Sequence, residues 1–368
     1  MAGATTTLAS RRAAAQLLHR PAKPRHPADI LRAIAGAQAQ DPRQGRLALR
    51  ARSAAPTAAD VDRARNEERS VVRAWAMRTT MHLLAADDAA WMVPLWEPAI
   101  GAEARRRLAH LGVEPAAQDR ALATMKRLLR GGEPRTRDEV VSAVERLGIE
   151  VTAQVRTHLF RLLIAEGGTC FGPDLGSEPT VIHAGAWLGE RPAHDREAAL
   201  RELAVRYLRA FGPATEADFA GWAGLPLRDI RAGLAGIAAR ITEERAGGGE
   251  PLLRLKGQGP RPRRGYVRLL PGYDTYLMGH RDAGFMATPE QWKRILPGGG
   301  ILRPVIVRDG VAIGLWHQRR QGKRLSVRLE PFAAFDDDTR AAIDAELADV
   351  ARFEGATVKL EEAGGDPQ

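Results

Sequence analysis

Two glutamines flank one alanine in the stretch GAQAQDPRQG, residues 36–45. A carboxamide is neither an acid nor a base, so Gln38 and Gln40 can act on a reactant only through hydrogen bonds and dipoles. Residues two apart on an α-helix point about 200° from each other, whereas in an extended or irregular segment they face the same side. We expect Asp41-Pro42 to end the preceding helix, since proline disfavours helical dihedrals in the residue before it. The pair is interpreted either as polar residues at a fraying helix end or as two amides facing one reactant.

The usual catalytic and metal-binding patterns are missing from the sequence. The nine histidines are scattered without an HxxxH pair, so we predict no metal site and no cofactor. The chain has no GxSxG elbow, no P-loop and no GxGxxG after a strand, which argues against hydrolases of that type, nucleotide triphosphatases and dinucleotide-binding enzymes. The single Cys170 excludes an internal disulfide framework and is expected to be a small strand residue rather than a nucleophile.

Helix signals recur along the chain in groups that are typical of winged-helix modules. Between residues 120 and 183, three helical patterns are followed by two short strand patterns. Thr136 and Glu139 form a capping-box pattern at the start of the second helix. Residues 195–256 repeat the order, with a cap at Thr215 and a hairpin across a triple-glycine turn. The N-terminal third is interpreted as a third, more decorated copy.

The last hundred residues have a different pattern, predicted to be an α+β segment that ends in a helix near residues 337–351. Within it, VAIGLWHQRRQGKRLSVRLEPF is predicted to be a hairpin with its tip at 317–324. That tip is either an incidentally basic, solvated loop or a finger that tracks a phosphate backbone. Its basic residues are Arg319, Arg320, Lys323 and Arg324.

The predicted fold is therefore a helix-rich α+β fold of three tandem winged-helix modules and a C-terminal α+β segment with a basic hairpin. The expected boundaries are 1–115, 116–190, 191–264 and 265–368.

The net charge of +10 favours an anionic partner, most simply nucleic acid, although a biased coding composition would also enrich arginine. The chain has no apolar stretch long enough to cross a bilayer, and its N-terminus lacks the pattern of a secretory signal. We expect a monomer in the cytoplasm, associated with the nucleoid through DNA and not with a membrane.

Three stretches resemble the winged-helix DNA glycosylases of the AlkZ/YcaQ type, and the resemblance spans nearly the whole chain. They are RAWAMRTTMHLLAADD, LLPGYDTYLMGHRD and GLWHQRRQGKRLSVRLEPF. The most specific residues are Arg73, Trp75, Arg78, Thr80, His82 and Leu83. The resemblance implies a monofunctional DNA glycosylase that acts on double-stranded DNA with alkylation crosslinks.

In that family, a Gln, an apolar residue and then Gln or Asp form the catalytic motif, which corresponds here to Gln38, Ala39 and Gln40. The branch with a second Gln resembles the self-resistance enzymes of antibiotic producers, directed narrowly at crosslinks such as those of azinomycin B. The branch with Asp also accepts simpler alkylated bases. Neutral amides are sufficient chemically, because guanine alkylated at N7 is cationic and leaves as a neutral base without an enzyme acid.

Other residues are candidates for contact with DNA or the lesion. Arg43 and Arg46, together with Arg50 and Arg52, either line a DNA-facing channel or form a solvated helix face. His82 either lies near the lesion or is a satisfied strand histidine, and we expect Trp75, Trp91 and Trp96 to be core residues rather than stacking platforms.

The hypothesis is a glycosylase that cleaves N7-alkylguanine from DNA and unhooks interstrand crosslinks, in an open cleft rather than a closed base pocket. Its main rival is a non-enzymatic winged-helix transcription regulator, which would explain the modules and the charge equally well. A third interpretation is a scaffold whose arginine excess reflects coding bias alone.

Overall fold

The computed structural model describes residues 2–20, 25–176, 178–189, 194–245, 250–258 and 264–361. The helices are α1 Ala2–Ala15, α2 Pro27–Ile34, α3 Pro42–Arg50, α4 Ala58–Asn66, α5 Ala86–Met92, α6 Glu97–His110, α7 Pro115–Leu129, α8 Arg137–Glu145, α9 Ala153–Glu166, α10 Ala184–Leu188, α11 Arg196–Phe211, α12 Glu216–Ala223, α13 Leu227–Ala235, α14 Thr275–Met278, α15 Pro289–Ile295 and α16 Asp337–Glu354. No helix in these ranges is long and apolar enough to cross a membrane.

Two strands near the C-terminus are long, with 11 and 8 residues, and the other described strands have two to five. The strands are β1 Ala37–Gln38, β2 Val71–Trp75, β3 Met81–Ala85, β4 Arg135–Thr136, β5 Thr169–Phe171, β6 Thr180–His183, β7 Ile241–Glu244, β8 Leu252–Leu255, β9 Val267–Leu270, β10 Val305–Arg308, β11 Val311–Gln321, β12 Arg324–Pro331 and β13 Thr357–Leu360. The fold is thus mixed α+β and rich in helix, which confirms the predicted class.

The chain forms two compact units, one of residues 62–199 and one of residues 1–61 with 200–368. The second unit is therefore discontinuous in sequence, whereas the sequence predicts four consecutive segments. The boundaries predicted at 115, 190 and 264 stay a prediction, and the first predicted module, 1–115, has residues in both units.

In the unit of residues 62–199, the helices and strands expected for residues 120–183 are present as α7, α8, α9, β5 and β6. Thr136 caps α8 as predicted: its hydroxyl accepts from Glu139 N at 3.2 Å, and the Glu139 carboxylate accepts from Thr136 N at 2.7 Å. The structure adds β4, which pairs with β6 to make a sheet of order β4-β6-β5. The assignment of this group to a winged-helix module stays a prediction.

The pattern predicted for residues 195–256 is present as α11, α12, α13, β7 and β8, which belong to the discontinuous unit except for the first four residues of α11. Thr215 and Asp218 form a capping box on α12, and the helix ends at Gly224 in the left-handed conformation, as predicted. The triple-glycine turn of the predicted hairpin lies outside the described residues.

A five-stranded sheet of order β13-β12-β11-β10-β9 forms the centre of the discontinuous unit. Its strands are antiparallel except β13, which pairs parallel to β12 with Arg324 opposite Thr357. Every residue of β10 but the last is buried, and Val305 and Val307 join a core that includes Tyr276 and Phe285. The sheet thereby supplies a rigid base for the basic hairpin of β11 and β12.

Two local predictions are corrected. Helix α2 ends at Ile34, because Ala35 adopts the left-handed conformation at φ 57°. Asp41-Pro42 does not end that helix but begins α3, with the Asp41 carboxylate as the N-cap acceptor and Pro42 in the first turn. The hairpin tip is also shorter than the predicted 317–324, because β11 extends to Gln321 and β12 begins at Arg324.

Candidate active site

The segment with the two glutamines is a non-helical connection between two helices, with a bend at Gln40. Gly36, at φ 93°, lets the chain leave α2, and the next two residues form strand β1. Asp41 is extended at φ −95° and ψ 115°, and its Oδ1 accepts from Arg43 N at 2.8 Å. The backbone thus has the non-helical geometry that the shared-reactant interpretation requires.

The glutamines differ in exposure: Gln38 is 8% exposed, whereas Gln40 is exposed to solvent. Ala39 between them is completely buried. Because Gln40 is exposed, the pair is not enclosed in an apolar core. The Gln40 carboxamide is therefore open to solvent, whereas the Gln38 carboxamide is nearly enclosed.

Helix α3 attaches this segment to the C-terminal sheet. Arg43 Nη2 donates to Gln318 Oε1 of β11 at 3.2 Å, and its Nε donates to Glu354 Oε1 at 3.4 Å. The Gln44 Oε1 accepts from Gly272 N at 2.9 Å. These contacts fix the first turn of α3, which directly follows Gln40.

Glu354 joins two of the predicted DNA contacts. Its side chain is 1% exposed and accepts from Arg320 Nη1 as well as from Arg43. Arg320 also donates from Nε to Gly322 O at 2.8 Å. Two guanidinium groups share one carboxylate, so this group keeps an excess of positive charge beside the glutamine segment.

The remaining basic residues of the hairpin, Arg319, Lys323 and Arg324, are exposed. The hairpin is not a free finger, because β13 runs along β12 and Thr357 N donates to Lys323 O at 2.9 Å. The basic side chains therefore lie at the tip of a hairpin that β13 flanks. Whether they contact DNA stays a prediction.

Arg50 and Arg52 have no exposed surface, so both interpretations of them, as a channel lining or as a solvated face, are wrong. Arg50 Nη1 pairs with Glu346 at 2.9 Å. Arg52 donates to both carboxylate oxygens of Asp274 at 2.7 Å. Arg46, on the same helix, is half-buried, and its proposed contact with DNA stays a prediction.

His82 lies in β3 of the other unit and is 2% exposed. Burial, and then the nearby Arg78, lower its pKa to about 3, and its Nδ1 lies 2.9 Å from Thr80 O. The ring is therefore neutral near pH 7, and its Nδ1 carries the proton that the carbonyl accepts. This matches a satisfied strand histidine, while a role near the lesion stays a prediction.

Other candidates are core residues. Cys170 is buried on β5, and burial raises the pKa of its thiol to about 12, so it is not a nucleophile at neutral pH. Trp75, Trp91 and Trp96 are buried, as expected for core residues.

Glu354, Gln318 and Gln44 were missed by the sequence reasoning. Each lies within hydrogen-bonding distance of a residue more than two hundred positions away, so no local pattern identifies it. A cap signal was available for the end of α16, since Gly355 follows Glu354 in the left-handed conformation at φ 57°.

Comparison with known proteins confirms the resemblance. A family model described as DNA glycosylase AlkZ-like matches residues 31–353. The chain is 27% identical over 358 residues to an interstrand DNA cross-link repair glycosylase of Streptomyces sahachiroi, a match that covers 89% of this chain and 91% of that protein. It also resembles the solved structure of the Streptomyces sahachiroi DNA glycosylase AlkZ, with a TM-score of 0.75 and 25% identity over 97% of this chain and 99% of that one. The family model spans most of the sequence, and this chain therefore belongs to the AlkZ-like DNA glycosylase family.

Proposed function

We propose that this DNA glycosylase, a hydrolase of N-glycosyl bonds, releases N7-alkylguanine and thereby unhooks DNA interstrand crosslinks. The observation that carries the proposal is the non-helical Gln38–Gln40 segment, which is joined through Arg43 and Glu354 to the basic hairpin. A relative in Streptomyces sahachiroi is described as an interstrand DNA cross-link repair glycosylase. Membership in a family of glycosylases favours an enzyme over the rival transcription regulator.

The chemistry follows from the charge of the leaving base. Guanine alkylated at N7 carries a positive charge, so cleavage of its glycosidic bond releases a neutral base and leaves cationic character on the sugar. The carboxamide oxygens of Gln38 and Gln40 stabilise that developing charge and orient the attacking water. The proton that the attacking water loses passes to bulk solvent. The hydrolysis therefore balances in atoms and charge without an acid or a base from the enzyme.

DNA is held by charge. Arg43 and Arg320 share Glu354 and keep an excess of positive charge, and the exposed Arg319, Lys323 and Arg324 extend it along the hairpin. Cations in this arrangement neutralise backbone phosphates and place the lesion beside the glutamines. A crosslinked base stays tethered to the other strand, so we propose an open cleft rather than a closed base pocket.

We further propose that the natural lesion is narrow in range and comes from a bifunctional alkylating antibiotic such as azinomycin B, in keeping with a role in self-resistance. The support is the identity of residue 40, because Gln at this place resembles the narrow branch of the family.

The test is incubation with a duplex oligonucleotide that contains an N7-linked interstrand crosslink. Denaturing gels measure strand separation, and cleavage by hot alkali measures abasic sites. Wild type should separate the strands, while Gln38→Ala and Gln40→Ala should lower the rate on the order of 100-fold each at unchanged DNA affinity. If wild type binds the duplex but does not unhook it, the proposal fails.

A further inference from the structure

Gly45 lies in the first turns of α3 and is buried. A glycine inside a helix is less favourable than alanine, because its backbone loses more conformational freedom on folding. Its backbone does not need a glycine, since Gly45 is not among the residues with positive φ and its N donates to Asp41 O at 3.1 Å as in an ordinary helix. The reason for a glycine here must therefore lie in what it touches.

A side chain at position 45 would contact the glutamine segment, residues 38–40. A Cβ on residue 45 would lie 2.7 Å from the Ala39 Cβ, 3.2 Å from the Ala39 Cα and 3.3 Å from the Gln38 carbonyl oxygen. The last two are backbone atoms, which no change of rotamer can remove. The helix and the glutamine segment approach so closely that only glycine fits between them.

This contact determines the backbone position of the glutamine segment. Ala39 is fully buried with its Cβ against Gly45, and the carbonyl oxygen of Gln38, the last residue of β1, lies at the same contact. Both glutamines are bonded directly to Ala39, so a shift of Ala39 would displace the backbone from which each carboxamide extends.

Helix α3 cannot move away from the glutamine segment to make room for a larger residue at position 45. Gln44 is bound to Gly272, and Arg50, at the end of α3, is paired with Glu346 in the interior. Since α3 is held at both ends, a displacement would fall on residues 38–40.

We propose that Gly45 is a positioning residue that sets the placement of Gln38 and Gln40, with Ala39 as its counterpart. This inference rests on the proposed function. It predicts that Gly45→Ala impairs the chemical step rather than the binding of DNA.

The experiment compares three variants of the full chain with wild type on the crosslinked duplex. Gly45→Ala introduces the contact, and the double variant Gly45→Ala with Ala39→Gly removes the nearest atom of that contact. Gly131→Ala is the matched control, because a Cβ there meets nothing within 4 Å. Single-turnover rates report the chemical step, and fluorescence anisotropy reports the Kd for DNA.

Gly45→Ala should lower the single-turnover rate on the order of 100-fold, as a displacement of about 1 Å does at a catalytic group, with the Kd unchanged. The double variant should recover part of this loss, because the Ala39 Cα and the Gln38 oxygen remain close. Gly131→Ala should behave as wild type.

The inference is overturned if Gly45→Ala keeps the wild-type rate, if rate and DNA affinity fall together, or if the double variant recovers nothing. If Gly45→Ala does not fold, Ala39→Ser adds one oxygen on the other side of the same contact, and an unchanged rate in that variant overturns the inference. Absence of unhooking by wild type would instead contradict the proposed function itself.

Discussion

At the scale of single residues, the two glutamines of the motif have different surroundings. Gln38 is almost enclosed, whereas Gln40 is open to solvent and directly precedes the N-cap of α3. Gln40 is therefore the position at which a change of charge is best tolerated by the fold. This makes residue 40 the place to test how charge determines the range of lesions.

Gln40→Asp should extend activity to duplex DNA with a simple N7-methylguanine. A carboxylate holds the attacking water more strongly than an amide and stabilises the cationic sugar, which matters most for a lesion with fewer contacts. The measurement is release of methylated base, and Gln40→Asn, which has the shape of Asp without its charge, is the control. Equal release by the two variants would contradict the role assigned to charge at this position.

The buried histidines should make the protein sensitive to acid. Burial lowers the pKa of His82 and of His280 to about 3 from 6.5, so the unfolded chain binds more protons than the folded one between these values. Stability is then complete above about pH 6.5 and falls as the pH drops toward 3, by up to about 1.4 kcal/mol per pH unit for each histidine.

Urea unfolding at pH 7.0 and pH 5.0 measures this loss, and His82→Gln should reduce the difference between the two pH values. A variant whose free energy of unfolding falls as much as that of wild type would show that His82 does not contribute to the acid sensitivity.

At the scale of elements, local signals predicted most helices well but misjudged the connection after α2. The caps at Thr136 and Thr215 were confirmed, because a cap is a hydrogen bond between residues three apart. Asp41-Pro42 is compatible both with the end of one helix and with the start of another. In the structure, α2 already ends before Ala35, which adopts the left-handed conformation before Gly36 although alanine has no helix-ending propensity.

The basic hairpin should contribute a measurable part of the salt dependence of DNA binding. Replacing Arg319, Lys323 and Arg324 together by alanine should weaken binding and reduce the slope of log K against log salt by about 0.9 for each lost phosphate contact. Anisotropy titrations at several salt concentrations measure the slope. Arg340→Ala, which removes an exposed cation from α16, is the control and should leave the slope unchanged. An unchanged slope in the triple variant would favour the incidentally basic loop.

At the scale of the whole molecule, charge and connectivity are organised by long-range contacts. Arg50 and Arg52 come from the N-terminal residues, and their acidic partners Glu346 and Asp274 come from the last hundred residues. Because each of these buried arginines is paired with a buried carboxylate, the two pairs leave the net charge of the remaining surface unchanged. The same ion pairs explain why residues 1–61 group with 200–368 in one compact unit.

Arg52→Ala should destabilise the discontinuous unit strongly. It leaves the fully buried Asp274 without its bidentate partner, and removing one member of a buried pair costs about 3–5 kcal/mol. Chemical denaturation measures the change, and Arg319→Ala, which removes an exposed arginine, should change stability by less than about 0.5 kcal/mol. If Arg52→Ala lowers the free energy of unfolding by less than about 0.5 kcal/mol, the Arg52–Asp274 pair does not stabilise the contact between these distant parts of the chain.

The sequence by itself determined the features that depend on neighbouring residues: the α+β class, most helices and strands, several caps, and the glutamine motif whose resemblance indicates the family. Only the tertiary structure decided which of the charged side chains are buried and which stay exposed. Arg43 and Arg46 belong to the same helix as Arg50, yet Arg50 is enclosed, while Arg43 meets Arg320 at Glu354. The reason is physical: helical spacing and caps involve residues three or four apart, whereas the environment of a charge depends on partners hundreds of positions away.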